Sequence, residues 1–321
     1  MTTTSAPAAP ASAIPQPNPR DEAQSLDTKD RGQKKPEKNV HIPKPKFRLH
    51  AEDLRHPGST AFLVYIPNVA STLDTALSNI VRYLYTAPEY ESTEAGSAPK
   101  SKRPFFCPSI PPTRSVTLFL RDFSGVAYTT GTELDDDHKE IHLSLPYIKH
   151  CKESSSKADP VDELAGVLTH ELVHCYQHTS PPDSEKSGKD IPNPPGGLIE
   201  GIADFVRLKA GLSPPHWKRP TSSAEREKEW DAGYQHTAYF LAWIEDVWVG
   251  RGAIGMLNDR LFRVGYVSGE KGDSDEVGFW ESLFGAGVAE LWGEYGQWLD
   301  GCDERNRKAE GNWEEEIVNP V

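Results

Sequence analysis

The spacing of apolar residues predicts one helix and several strands before residue 159, and only helices and loops after it. In "TLDTALSNIVRYLYT" (72–86) apolar residues recur every three or four positions, as on one face of a helix. "RSVTLFLRDFSGVAYTTG" (114–131) predicts strand structure with a turn at Ser124 and Gly125, and "KEIHLSLPYI" (139–148) predicts a strand that ends near Pro146. The polar run 91–104 between these segments predicts a loop.

The region after residue 159 contains clear helix starts and stops. Asp159 followed by Pro160 favours a helix start, and that helix is predicted to run to about residue 178. After a Pro- and Gly-rich loop (181–197), "GLIEGIADFVRLKAG" (197–211) predicts the next helix, closed by Gly211. Further helices are predicted around residues 230–249, 254–264, 277–284 and 288–299.

Composition sets the predicted domain limits. Residues 1–46 are rich in Pro, Ala and Lys and contain no aromatic residue, which predicts a disordered tail. Residues 47–302 are predicted to form one globular domain, and 303–321 a charged C-terminal tail. The net charge is −13 although the first 50 residues are basic, so the domain itself is acidic. An acidic domain argues against nucleic acid as a partner.

The cysteines, the lengths of the apolar runs and the first 20 residues indicate in which cellular compartment the protein is expected. The four cysteines are far apart and form no C-x-x-C pair, which predicts buried free thiols rather than disulfides. No apolar run reaches the roughly 18–20 residues of a membrane helix, so no membrane partner is predicted. "MTTTSAPAAPASAIPQPNPR" (1–20) lacks the basic and apolar regions of a secretory signal, which leads us to expect a cytoplasmic protein.

The segment "GVLTHELVHCYQH" (166–178) contains the pattern of a zinc site. His170 and His174 are four residues apart on the predicted helix, so both imidazoles can point at one ion, predicted to be Zn²⁺. Glu171 then lies beside the metal as a base rather than as a ligand. His178 is excluded as the third ligand, because on a continuous helix it lies about 6 Å beyond His174.

The next helix offers the third ligand. "IEGIADF" (199–205) places Glu200 and Asp204 on one face of an otherwise apolar helix. We predict that Glu200 is the third zinc ligand and that Asp204 accepts the free N–H of a metal-binding imidazole. The alternative, a solvated pair of acids, explains poorly why both lie in an apolar helix, where unpaired carboxylates are costly.

Five segments resemble the basic secretory protein family, known from plants and with fungal and bacterial members. They are "SVTLFLRDFSGVAYTTG", "GVLTHELVHCYQH", "GLIEGIADFVRLKAG", "HWKRP" and "WDAGYQHTAYFLAWIE", within residues 47–299. The resemblance implies an α+β zincin-like metallopeptidase domain, with a small N-terminal sheet followed by a mostly helical half. It also implies the roles given above for His170, Glu171, His174, Glu200 and Asp204. The acidic domain, the missing signal peptide and the long loops near 90–105 and 181–195 depart from the family.

The predicted function is zinc-dependent hydrolysis of peptide bonds in a peptide or protein substrate. Zinc lowers the pKa of its bound water to about 7, and Glu171 removes the proton as the water attacks. Tyr234 is the candidate donor to the oxyanion, with His236 as runner-up. The alternative for Tyr234 is a place in a core-facing helical stripe. That stripe would contain Trp230, Tyr234, Leu241, Ile244 and Trp248.

Three further segments receive predictions. By analogy with other zincins, "EIHLSLPYI" (140–148) would be the edge strand along which an extended peptide lies. "LDDDHKE" (134–140) predicts a solvated turn rather than a calcium site. Cys175 follows the second histidine directly, so its thiol is predicted to point away from the zinc face and to be buried.

Two other functions remain open on the sequence. One is a catalytically silent zinc-containing protein with a binding or defence role, although a purely structural zinc has no need of Glu171. The other is a metal-dependent hydrolase that acts on something other than peptides, because a ligand set alone does not define the substrate.

Overall fold

Four strands form a single sheet in the order β1-β2-β4-β3. The computed structural model describes residues 41–86, 106–132, 135–153, 159–182, 191–266 and 278–301. Strands β1, β2 and β4 are parallel, and β3 pairs antiparallel with β4 at one edge. Their bounds are β1 Lys46–Ala51, β2 Ser115–Arg121, β3 Ala127–Thr132 and β4 Asp135–Ser144.

Alternating side chains give the sheet one buried face. Val116, Leu118 and Leu120 of β2 are fully buried, as are Ile141 and Leu143 of β4. The residues between them point to the other face, as the two-residue period of a strand requires. The predicted strands and the turn before β3 are therefore confirmed, whereas β1 was not predicted from its sequence.

Helix α4, which holds the predicted zinc motif, packs against four of the other described helices and one strand. It packs against α1, α2, α3, α5 and strand β3, and α5 packs in turn against α6. The helices of the described ranges are α1 Pro57–Tyr65, α2 Val69–Leu84, α3 Leu145–Glu153, α4 Pro160–His174, α5 Gly196–Lys209, α6 Tyr234–Trp243, α7 Ala253–Arg263, α8 Phe279–Phe284 and α9 Val288–Gly301. A π-helical turn, Ile244–Trp248, continues α6. A small sheet followed by helices confirms the predicted α+β class.

Two predicted helix bounds are wrong. α4 ends at His174 rather than near residue 178, because the N–H groups of Cys175 and Tyr176 bond to carbonyls three residues back and tighten the last turn. α6 begins at Tyr234 rather than at residue 230. Gly233 and Tyr234 have φ of 87° and 47°, in the left-handed region that interrupts a helix.

The predicted end of α5 is confirmed in detail. Gly211 has φ of 73°, and its N–H bonds to the carbonyl of Leu208. The N–H of Leu212 bonds to the carbonyl of Arg207, which completes the pair of bonds that closes a helix at a left-handed glycine. α1 and α3 were not predicted, and Pro146 lies in the first turn of α3, which begins at Leu145 directly after strand β4.

Several predictions concern residues outside the described ranges. The predicted loop at 91–104, the central part of the loop at 181–197, and the C-terminal tail 303–321 lie there, as do residues 1–40 of the predicted N-terminal tail. The described part of the chain belongs to one compact unit, 40–321. Within it, each helix is too short or too polar to cross a lipid bilayer.

Candidate metal centre

Helix α4 places His170 and His174 side by side. The helix begins as predicted, with the Asp159 carboxylate accepting the N–H of Val161 at 2.9 Å and Pro160 in the first turn. One turn of helix separates the two histidines, and their ring centroids are 4.8 Å apart. His170 is buried, and His174 is half-buried beside it.

Helix α5 brings two carboxylates to the same point. Oε2 of Glu200 lies 3.1 Å from Nε2 of His170 and 3.7 Å from Nε2 of His174. On the other side of the His170 ring, Nδ1–H donates to Oδ1 of Asp204 at 2.7 Å. The structure therefore brings together the four residues predicted to form the metal centre and its supporting carboxylate.

The spacing of the three ligand atoms fits a zinc ion. Nε2 of His170 and Nε2 of His174 are 3.1 Å apart, and all three ligand atoms, including that of Glu200, lie within 4.8 Å of one another. A tetrahedral ion with bonds of about 2.0–2.1 Å separates its ligand atoms by about 3.3–3.4 Å. Two imidazoles and one carboxylate that leave a fourth position open are a donor set typical of catalytic zinc.

The charges of the metal-free centre depend strongly on one another. Burial acts to raise the pKa of Glu200, but hydrogen bonds and charge attraction from His170 and His174 outweigh it and lower the pKa to about 2. Burial acts to lower the pKa of His170, but the bonds to Asp204 and Glu200 raise it to about 9. In the metal-free protein at neutral pH, a protonated His170 therefore bridges two carboxylates.

Glu171 lies in the same cleft as the three candidate ligands, and Thr129 of strand β3 contacts its carboxylate. Only 6% of the residue is exposed, and its Oε2 accepts the hydroxyl proton of Thr129 at 2.7 Å. The same hydroxyl is 3.0 Å from the carbonyl oxygen of Glu171 and can donate to only one acceptor at a time. Sequence reasoning missed Thr129, because 42 residues separate it from Glu171 and no local pattern joins them.

Tyr234 faces the centre from the start of α6. Its ring is stacked on that of His170, with centroids 6.2 Å apart and planes 13° apart, and the residue is 57% exposed. The negative charge of Glu200, followed by burial, raises the pKa of its hydroxyl. The alternative prediction that Tyr234 belongs to a core-facing stripe is wrong, because the left-handed backbone at Gly233 and Tyr234 turns the side chain out of the core.

His236, the runner-up donor, lies on the same cleft but has other partners. Its Nε2 is 3.3 Å from the amide nitrogen of Gln235 and 3.7 Å from a carboxylate oxygen of Glu227.

Helix α5 packs closely against the loop before α6, and this contact positions the cleft wall that contains Tyr234 and His236. A side chain at Gly197 would overlap the backbone of Asp231, so only glycine permits that approach.

The cleft over the centre has a volume of about 1140 Å³, and strand β3 forms one wall of it. Residues 127–129 of this strand and Val126 just before it line the cleft together with the candidate ligands on α4 and α5. The prediction that residues 140–148 form the edge strand is wrong. β4 lies between β2 and β3 and pairs with both, so among the described strands β3 is the edge that borders the cleft.

Other predicted features lie away from the centre. His178 donates from Nε2 to the carbonyl of Ser109 at 2.8 Å and makes no contact with the ligands, because the chain leaves the helix after His174. Cys175 is buried, as predicted, and burial raises the pKa of its thiol. Cys107 is exposed, so the prediction of a buried thiol is wrong there.

The acidic run 134–140 does not form the predicted turn over its described part. Strand β4 begins at Asp135, which pairs with Thr132 of β3, and from His138 onward the strand also pairs with β2. Asp137 forms an ion pair with Arg114 at 3.1 Å, and Asp135 lies 4.0 Å from the same guanidinium. These carboxylates are therefore partnered by a neighbouring cation.

Comparison with known proteins identifies one family. The family model described as BSP, peptidase of plants and bacteria, matches residues 44–295. This range covers most of the chain and includes the sheet, the histidines of α4 and the carboxylates of α5. No curated protein and no solved structure matches the chain.

Proposed function

Because the chain belongs to the BSP family of peptidases of plants and bacteria, we propose that it is a zinc-dependent peptidase with Glu171 as its general base. The resemblance to the basic secretory protein family is thereby confirmed, and the family's fold is zincin-like. The observation that carries the proposal is the convergence of His170, His174 and Glu200 beside Glu171 in one open cleft.

His170, His174 and Glu200 would hold the metal. When bound, zinc lowers the pKa of a coordinated water to about 7 and polarises the scissile carbonyl. Asp204 accepts a hydrogen bond from Nδ1–H of His170. This bond keeps the proton on Nδ1, leaves the Nε2 lone pair free for the metal and increases the basicity of the ring. The metal position and its supporting bond thus both come from the contact between α4 and α5.

Glu171 accepts a proton from the attacking water and returns it to the leaving amine. Its position beside the ligands, with one carboxylate oxygen held by Thr129, leaves the other oxygen for this transfer. Tyr234 supports the oxyanion, because it lines the cleft beside His170 and its raised pKa keeps the hydroxyl protonated as a donor. His236 is less suited, since Gln235 and Glu227 already contact its ring.

The outer side of β3 is the place where we propose that an extended peptide lies. A strand at the edge of a sheet can pair its backbone with an added strand, and this edge borders the ligands and Glu171. Peptide and protein substrates follow from the family.

The test compares wild type with Glu171→Gln for zinc content and for cleavage of casein and a peptide mixture. We expect about one zinc per chain in both proteins, and cleavage by Glu171→Gln lower by about 10²- to 10⁴-fold. Asp162→Asn is the matched control, because it neutralises an exposed acid on the first turn of the same helix. It is expected to keep both zinc and cleavage.

Each other outcome points to a different function. Zinc in both proteins with cleavage in neither would favour the silent binding protein. Equal cleavage by wild type and Glu171→Gln would remove Glu171 from the mechanism. A wild-type protein that binds no zinc would overturn the metal centre altogether.

A further inference from the structure

The side-chain amide of Gln177 contacts His174 on the side away from the metal position. Nε2 of Gln177 lies 2.9 Å from Nδ1 of His174. The oxygen of the same amide, Oε1, is buried and has no hydrogen-bond partner among the described residues. His170 has the equivalent contact on its own Nδ1, from Asp204. Each of the two histidines therefore has one polar partner behind it.

A metal-binding imidazole requires a particular proton arrangement. When Nε2 binds the metal, Nδ1 carries the proton and needs an acceptor. In the orientation described, an N–H group of Gln177 faces Nδ1 of His174, which suits the other tautomer, with the proton on Nε2. Rotation of the amide by half a turn exchanges its nitrogen and oxygen without moving the rest of the side chain. Oε1 would then accept the proton from Nδ1–H.

We propose that Gln177 is a positioning residue of the metal centre, whose amide oxygen accepts from Nδ1–H of His174 when the metal is bound. This inference rests on the proposed zinc site. The contact between Gln177 and His174 is possible because α4 ends at His174. The backbone N–H of Gln177 bonds to the carbonyl of Val173 at 2.7 Å, which holds Gln177 against the last turn of the helix.

A neutral amide at this position differs from a second supporting carboxylate in its charge. Glu171, Glu200 and Asp204 already bring three acidic groups to the two histidines. A carboxylate at position 177 would add a fourth negative group, and while ionised it could accept a hydrogen bond but not donate one. The amide oxygen of Gln177 can support His174 without adding charge to the centre.

The test measures zinc affinity of the purified full-length protein by competition with a chelator. Gln177→Met has a similar length but no polar group, and we expect it to bind zinc about 10- to 100-fold more weakly, as loss of a supporting partner does. Gln177→Glu keeps an acceptor and is expected to bind zinc within a factor of about three of wild type, or more tightly.

Gln235→Met is the matched control. Gln235 also lies in the cleft with its amide nitrogen near a histidine ring, that of His236, which is not a proposed ligand. The same substitution there is expected to leave zinc affinity unchanged. A general effect of removing a glutamine amide from the cleft would weaken both variants and would contradict the proposal.

A second measurement depends on no variant. Two-bond ¹H–¹⁵N correlations of the histidine rings report which nitrogen carries the proton, and we expect His174 of the zinc-loaded wild type to be protonated at Nδ1. A zinc affinity of Gln177→Met equal to that of wild type would overturn the inference, as would an unprotonated Nδ1 in the zinc-loaded wild type. Failure of the wild type to bind zinc would instead overturn the proposed function.

Discussion

The hydroxyl of Thr129 holds the proposed general base, and its removal should slow catalysis without loss of the metal. Thr129→Val replaces the hydroxyl by a methyl group of similar size and leaves Oε2 of Glu171 without its donor at 2.7 Å. A hydrogen bond to a charged group contributes about 1.5–3 kcal/mol, and the half-buried position of Thr129 reduces this to about 1–2 kcal/mol. If that energy holds one orientation of the carboxylate, kcat falls by about 5- to 30-fold.

The assay is steady-state cleavage of a peptide, with zinc content measured on the same samples. We expect the loss in kcat rather than in KM, because Thr129 acts on the base and not on the substrate. Thr129→Ser retains the hydroxyl and should restore most of the rate. Thr130→Val is the matched control, because the next residue of the same edge strand is exposed and points to the opposite face of the sheet.

The result that refutes this reasoning is a Thr129→Val protein whose kcat equals that of Thr130→Val while both retain one zinc. The hydroxyl would then satisfy only the backbone carbonyl of Glu171, which is its other acceptor at 3.0 Å. A variant that loses zinc as well as activity would show that Thr129 supports the whole centre rather than the base alone.

Three further predictions follow from the structure. Asp204→Ala should weaken zinc binding by about 10- to 100-fold in chelator competition, because the acceptor for Nδ1–H of His170 is lost, and an unchanged affinity would contradict the role of Asp204. The pKa of His170 is raised to about 9 in the metal-free protein, so zinc binding at pH 7 should release about one proton from it. Apparent zinc affinity should therefore rise with pH between about 6.5 and 9, as calorimetry in buffers of different ionisation enthalpy can show; a flat profile would contradict this charge state. Gly201→Ala should lower the free energy of unfolding by about 1–3 kcal/mol, because the added methyl overlaps the side chain of Thr237 between α5 and α6. Gly293→Ala on the exposed side of α9, where nothing lies within 4 Å, should be neutral or stabilising by up to about 1 kcal/mol in the same thermal unfolding experiment.

The helices that carry the metal ligands could be predicted because their signals are local. The four-residue spacing of His170 and His174 and of Glu200 and Asp204 fixes each pair on one helix face. Two polar pairs on largely apolar helices also predict that the helices face each other, since buried charges need partners. Gly211 likewise marks the end of α5 through a backbone preference of a single residue.

Other parts of the site depend on contacts between distant segments. β4 contains a stronger apolar alternation than β3, but pairing with β2 and β3 on its two sides makes β4 central and leaves β3 at the cleft. The periodicity of a strand indicates which face is buried and carries no information on its neighbours. The contact between Thr129 and Glu171 follows from this pairing.

The sequence by itself thus determined the side chains that meet at the centre: two histidines and three carboxylates on two helices, whose spacing depends only on the 3.6-residue period of a helix. Only the tertiary structure decided what surrounds that chemistry. The early end of α4 brings Gln177 behind His174, and the left-handed backbone at Gly233 and Tyr234 turns the tyrosine toward the cleft. Those features depend on where helices stop and which segments pack together. The ends of the helices and the packing of distant segments both depend on which residues become buried in the folded chain, and a local sequence pattern does not contain that information.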